Sequence, residues 1–192
     1  MLKSEIRILG FDDGPHKSKS EGTVVVIGVI YRGGKFPDGF LKTEVAIDGT
    51  DATEKLVKLI NSTRHKQQLK VIMFDGVTLG GFNIVDIKEL HEKTRIPVIV
   101  INRKHPDLEK VKEALKNFKD FEVRWKIIEH AGKIKECRLN KRKLYYQSVG
   151  LRDEDAREII ALSSTHSFVP EPLRVAHLIA TAVVKGESGG RA

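Results

Sequence analysis

The stretch Val71-Ile72-Met73-Phe74-Asp75-Gly76-Val77-Thr78-Leu79-Gly80-Gly81-Phe82-Asn83 decides how the chain folds. Leu69 to Phe74 is an almost unbroken apolar run, rich in β-branched and aromatic residues, and predicts a strand buried on both faces. It ends on a carboxylate, Asp75; a glycine-bearing turn follows, and a helical pattern runs from Ile84 to Lys93. In open α/β sheets the ligand crevice lies outside the carboxyl ends of the strands, so an acid there is placed for chemistry. Asp-Gly is also an ordinary turn pair. A second carboxylate in the matching place on the first strand favours the chemical reading.

That first strand is Glu5 to Phe11, ending in Asp12-Asp13-Gly14-Pro15. Thr23 to Tyr31 is strongly β-branched, Gly33-Gly34 is a hairpin signal, and Phe40 to Ile47 alternates as a strand with one wet face does. The three predict an antiparallel meander. Beyond Asp48-Gly49-Thr50-Asp51, the residues Leu56, Val57, Leu59 and Ile60 mark an amphipathic helix. Strand and helix then alternate: Leu69 to Phe74, a helix, Pro97 to Ile101, and a helix from Pro106 with Leu108, Val111 and Leu115 at helical spacing. Phe121 to Ile128 has the composition of one more strand. Lys133 to Lys143 reads as a loop or surface hairpin, Asp153 to Leu162 as a helix, and a last helix follows Pro170-Glu171-Pro172.

The order βββ-αβ-αβ-α, with right-handed crossovers, puts the first strand mid-sheet, parallel to and beside the Leu69 strand. The prediction is an α/β protein with a five-stranded mixed sheet, order 3-2-1-4-5, and helices on both faces. It forms a single domain over 1–186 with a flexible tail over 187–192. Adjacent strands lie about 4.8 Å apart, so Asp12 and Asp75 come within reach of one ion. Their oxygen ligands suit Mg²⁺ or Mn²⁺, ions that assist phosphodiester hydrolysis. Alternation sends Asp12 and Asp13 to opposite faces, so only one of them points into such a site. A third acid comes from Asp51 or Glu54, with Asp48 as a rival. Asp51-Ala52-Thr53-Glu54 also has the spacing of a capping box, Asp51 as N-cap and Glu54 at N3.

With 34 Lys and Arg against 26 Asp and Glu, the net charge of +8 suits a polyanionic partner, although net charge speaks first to solubility. Between Arg124 and Lys143 eight basic residues face two acids, with Trp125, Tyr145 and Tyr146 within or beside the run. This is either a phosphate-tracking surface with stacking aromatics, its candidate contacts Lys141, Arg142 and Lys143, or a solvated basic edge. The single Cys137 excludes an internal disulfide and a cysteine metal cluster. No apolar run approaches membrane-spanning length and Met1 to Arg7 is too polar for a signal peptide, so a soluble cytoplasmic protein is expected. His16 and His177 read as packing or surface residues.

Gly10-Phe11-Asp12, Phe74-Asp75-Gly76, Ile96-Pro97-Val98-Ile99-Val100 and Val169-Pro170-Glu171-Pro172-Leu173-Arg174-Val175-Ala176-His177 together resemble the skeleton of endonuclease V. The closer resemblance, over almost the whole chain, is to an archaeal family related to that enzyme, through Asp48-Gly49-Thr50-Asp51-Ala52-Thr53, Gly81-Phe82-Asn83-Ile84-Val85-Asp86 and the Pro-Glu-Pro-Leu-Arg segment. The resemblance implies an RNase H-like fold and a divalent-metal endonuclease cutting DNA, or RNA, near uracil or hypoxanthine. Asp12 and Asp75 match two metal-binding aspartates, and Asp51 falls near a helix-initial Glu of that family. Lys104 or its neighbour Arg103 stands where the family carries a basic residue that meets the scissile phosphate. Arg174 is expected to brace the active-site end of the sheet and contact nucleic acid. The chain also departs from endonuclease V. His177 stands where relatives often have Asp, the His that follows the strand-end Asp-Gly is missing, with Gly80-Gly81 in that region, and the aromatic-proline wedge is not visible.

Overall fold

The computed structural model describes residues 3–17, 21–139 and 142–189. In chain order the elements are β1 (Arg7–Asp13), β2 (Thr23–Arg32), β3 (Phe36–Ala46), α1 (Ala52–Ser62), β4 (Leu69–Asp75), β5 (Thr78–Leu79), β6 (Asn83–Ile84) and α2 (Ile87–Thr94). They continue as β7 (Val98–Asn102), α3 (Leu108–Leu115), α4 (Phe121–His130), β8 (Lys135–Leu139), β9 (Arg142–Val149), α5 (Asp153–Ser163) and α6 (Glu171–Lys185). Of the tail, residues 187–189 are exposed coil and 190–192 lie outside the described residues.

The main sheet has seven strands in the order β3-β2-β1-β4-β7-β9-β8, and β5 and β6 form a separate two-stranded arm. The expected order 3-2-1-4-5 is present as the run β3-β2-β1-β4-β7, with β1, β4 and β7 parallel. The five-strand count is corrected. The basic Lys133–Lys143 region and the segment after it pair as β8 and β9, and β9 docks antiparallel on β7 from Val98↔Val149 to Asn102↔Tyr145. Phe121 to Ile128 is a helix, not a strand. Its inward face is Phe121, Arg124, Trp125 and Ile128, a three-and-four spacing, whereas Val123, which period-2 alternation would bury, is exposed. Helix α2 starts three residues later than expected, at Ile87, with Asp86 as N-cap, its carboxylate accepting the Lys88 and Glu89 N–H.

Alternation along the central strands divides the core. Leu9 and Phe11 of β1, Ile72 and Phe74 of β4, and Val98 and Val100 of β7 face α1 and α2. Ile8, Val71, Met73, Ile99 and Ile101 face the other way, against Ala156, Ile159 and Ile160 of α5 and Leu173 of α6. By the same alternation Gly10, Asp12 and Asp75 belong to the α6 face. Gly10 is what lets α6 lie so close: a Cβ there would stand 2.6 Å from Pro172 backbone carbon. Among the described residues no helix is long and apolar enough to cross a membrane.

Candidate active site

Register sets Asp12 and Asp75 side by side. Phe11 of β1 pairs with Phe74 of β4, their rings stacked at 5.6 Å, and each aspartate is the next residue along its strand. The positive φ of Gly76 (82°) then turns the chain out of β4 directly after Asp75. Asp12 Oδ2 lies 2.8 Å from His177 Nδ1 of α6, and Asp12 Oδ1 accepts the Asp13 N–H at 2.9 Å. Burial, then the charges of Asp13 and Asp75, push the Asp12 carboxyl up to about 7. Asp13 points to the opposite face, where it accepts the Gly80 N–H at 2.9 Å and lies 3.4 Å from His16 Nδ1; burial raises its carboxyl too. His177 is thus no packing residue: its partner lies 165 positions away, on another element.

Asp75 Oδ2 accepts from Arg103 Nη2 at 2.9 Å, so the loop after β7 brings a guanidinium to the carboxylate pair. Lys104 follows it on the same loop and is exposed. Asp51 is held elsewhere. Its oxygens accept from Ala46 N–H at 3.1 Å, Asn83 Nδ2 at 2.6 Å and Lys55 Nζ at 2.7 Å. Burial alone would raise its carboxyl, but Lys55, Asn83 and the Ala46 N–H outweigh it and hold it below the usual range. Asp51 stands at the N-cap position without a side-chain cap bond, so the capping box is not formed. Among the described residues no three His, Cys, Asp or Glu side chains are grouped to hold a metal, so Asp51 is not gathered with Asp12 and Asp75 in this structure. The two carboxylates still fit Mg²⁺ or Mn²⁺, since such ions are commonly bound by one or two carboxylates plus substrate phosphate. Their mutual repulsion at Asp12 is what a cation would relieve.

The basic run does not form one surface. Arg124 is 5 % exposed and works inside the protein. Its guanidinium donates to the carbonyls of Asp48 at 2.9 Å, Gly49 at 3.1 Å and Phe82 at 2.5 Å, and to Asp120 at 2.7 Å. It thereby braces the turn after β3, where Asp48 sits at a φ of 53°, against the β5–β6 arm that reaches Asp13 through Gly80. Arg142 lies over the Phe168 ring, and Lys143 pairs with Glu136 at 3.0 Å. Lys141 lies outside the described residues. Tyr146 is fully buried, Tyr145 meets His105 edge-on, and Trp125 lines a groove beside Gly76. Arg174 is engaged by the buried Glu171 at 2.6 Å, near Tyr31, which pairs with Ile8 towards the end of β1 away from Asp12. The expectation that it braces the carboxylate end is corrected.

The sequence profile described as Endonuclease dU matches residues 4–184. A UPF0215 protein of Methanothermobacter thermautotrophicus is 52% identical over 192 residues, covering 100% of this chain and 94% of its own. The crystal structure of a protein of unknown function from Archaeoglobus fulgidus is similar at a TM-score of 0.85 and 39% identity, over 94% of this chain and 99% of that one. Ciona intestinalis endonuclease V, in complex with a 24mer DNA containing an inosine followed by a ribo-adenosine, aligns at a TM-score of 0.58 and 15% identity, over 90% of this chain and 83% of that one. The α/β fold with its mixed sheet is therefore similar to that of endonuclease V.

Proposed function

The chain belongs to the Endonuclease dU family, and on that footing we propose that it is a divalent-metal-dependent endonuclease acting on DNA near deaminated bases, in DNA repair. The observation that carries this reading is the pair Asp12 and Asp75, adjacent at the carboxyl ends of the central parallel strands, with the proton affinity of Asp12 raised by burial and neighbouring charge. These two carboxylates would hold Mg²⁺ or Mn²⁺. When bound, the ion supplies Lewis-acid activation of water and stabilises charge on the phosphoryl oxygens. His177 fixes the orientation of Asp12 through their 2.8 Å bond. Arg103 donates to Asp75 through Nη2, and its remaining N–H groups serve a phosphate oxygen, with Lys104 adding positive charge beside it.

Asp75→Asn keeps the size of the side chain and removes the charge that holds the ion. It should abolish cleavage of uracil- or hypoxanthine-containing DNA with either ion, while the circular-dichroism spectrum and melting temperature stay close to wild type. Cleavage at the wild-type rate by this variant would remove Asp75 from the mechanism. A second reading, a nucleic-acid-binding protein without chemistry, is favoured by the Arg103–Asp75 ion pair and by the lack of a third ligand among the described residues. Wild-type protein that binds DNA and cuts none with either ion would select it.

A further inference from the structure

The turn after β3 meets the β5–β6 arm at Asp48. Asp48 holds a left-handed φ of 53°, a conformation that glycine adopts freely and an aspartate adopts at a cost. Backbone held in this way draws attention to what the side chain does there. The Asp48 carboxylate accepts the Phe82 N–H at 2.8 Å. Its own N–H donates to the Gly80 carbonyl at 2.7 Å, and its carbonyl accepts from Arg124 Nη2 at 2.9 Å. Gly81 makes this approach possible, because a Cβ there would collide with Asp48 Oδ1.

From Gly80 the bonds continue to the carboxylate pair. The Gly80 N–H donates to Asp13 Oδ2 at 2.9 Å, and the Asp13 N–H donates to Asp12 Oδ1 at 2.9 Å. Asp12 Oδ2 is met from α6 by His177 Nδ1 at 2.8 Å. The Asp12 carboxylate is therefore clamped from two sides: directly by His177, and through Asp13 and Gly80 by Asp48. Asp48 is not gathered with Asp12 and Asp75 in any group of metal-ligating side chains among the described residues. Its reach to the pair runs through the hydrogen bonds alone.

We propose that Asp48 is a positioning residue for the metal site: by accepting the Phe82 N–H it locks the β5–β6 arm against Asp13, and so holds the Asp12 carboxylate in the orientation that receives a divalent ion. The proposal rests on the metal-nuclease reading of the Asp12–Asp75 pair. The role needs an acceptor at residue 48 and no charge, whereas a metal ligand would need the charge. Asparagine supplies the acceptor through its side-chain carbonyl and tolerates the left-handed backbone. Glycine keeps the backbone and offers no acceptor. The two substitutions therefore separate positioning from ligation.

Mn²⁺ binding to wild-type protein, Asp48→Asn and Asp48→Gly would be measured by calorimetry with no nucleic acid present. Asp48→Asn should bind within about twofold of wild type, and Asp48→Gly about fivefold more weakly, the effect of one hydrogen bond. Amide hydrogen exchange is the second readout. In Asp48→Gly the Gly80 N–H should exchange at least about fivefold faster. The Ile72 N–H, bonded to the Pro97 carbonyl beside the central strands, should keep its wild-type rate and report an intact fold. Faster exchange at Ile72 as well would make the loss one of folding and overturn the proposal. An Asp48→Asn protein as weak as Asp48→Gly would make Asp48 a charge-bearing ligand and overturn it too. So would wild-type Mn²⁺ affinity in Asp48→Gly, whatever its exchange rate. Cleavage is scored separately. Wild-type protein that shows this binding pattern and cuts no DNA leaves the positioning role and overturns the nuclease. Cutting by wild type, with equal Mn²⁺ affinity in all three proteins, leaves the nuclease and overturns the positioning role. Wild-type protein that takes up no Mn²⁺ overturns both.

Discussion

Replacing Asp12 with Asn should make the folded protein more stable at pH 8 when no divalent ion is present. Burial, with the charges of Asp13 and Asp75, pushes the Asp12 carboxyl from 3.8 up to about 7. In the unfolded chain the carboxyl titrates at its ordinary value. Between roughly pH 4 and pH 7 the folded state therefore holds a proton that the unfolded state has released. The contribution of neutral Asp12 is full below about pH 4 and is lost as pH rises through about 7, at up to about 1.4 kcal/mol per pH unit. Over about three units the loss reaches at most about 4 kcal/mol. Asn keeps the size of the side chain and an acceptor for the Asp13 N–H, without a charge. The variant should lose this slope and gain about 2 to 4 kcal/mol over wild type at pH 8. Urea unfolding followed by circular dichroism at several pH values, in chelator, yields both curves. Millimolar Mg²⁺ or Mn²⁺ should restore the wild type at pH 8, because the ion binds the folded state and the ionised pair. A wild-type stability that is flat from pH 5 to pH 8, or an Asn variant no more stable at pH 8, would refute the reasoning.

Arg124→Met should lower stability by about 3 to 5 kcal/mol, because three backbone carbonyls and Asp120 lose a buried cationic donor; a fall in melting temperature of roughly 10 °C would register it. A change of less than about 1 kcal/mol would show that water replaces the guanidinium freely. Gly10→Ala forces a methyl group to within 2.6 Å of Pro172, so α6 must shift at a cost of about 1 to 3 kcal/mol, again read from melting. Replacing Arg142 and Lys143 with Ala should change the slope of log K against log salt for DNA binding by about 0.7 to 0.9 for each phosphate contact removed. An unchanged slope would assign both residues to their protein partners, Phe168 and Glu136.

The central strands were legible because each is a β-branched run ended by a turn residue, and that pattern alone locates Asp12 and Asp75. Helix α4 was not, because its buried face includes Arg124, and a charged residue in the sequence reads as exposed until its partners are known. Those partners are backbone carbonyls of Asp48, Gly49 and Phe82, which no residue pattern announces. The hairpin reading of Lys133 to Lys143 holds as β8 and the start of β9, but its docking on β7 was hidden by the basic composition, although Leu144 and Tyr146 alternate with more exposed neighbours and could have signalled a half-buried strand. His177 escaped for a related reason: it takes its meaning from a contact across the fold, with Asp12, that local spacing does not encode. Asp51 shows the reverse: its spacing matched a local motif, and a tertiary network with Asn83 and Lys55 claimed the carboxylate instead.

The backbone contact between Gly10 and Pro172 bears on how the molecule can move. With no side chain between them, β1 and the first turns of α6 behave as one rigid body, and Asp12 and His177 ride on it together. The opposite half of the site has another mechanical character. Gly76 has open space around its Cα, and Arg103 reaches Asp75 from a loop with 41% of its side chain in solvent. Any closure around a bound strand would then be one-sided: Asp12 and His177 serve as a fixed jaw, with the β5–β6 arm tied to it through Gly80 and Asp13, while the Arg103 side chain swings to meet it. The Asp12 carboxylate is thus held in place before any nucleic acid arrives, and only the exposed Arg103 side chain has to be ordered by it.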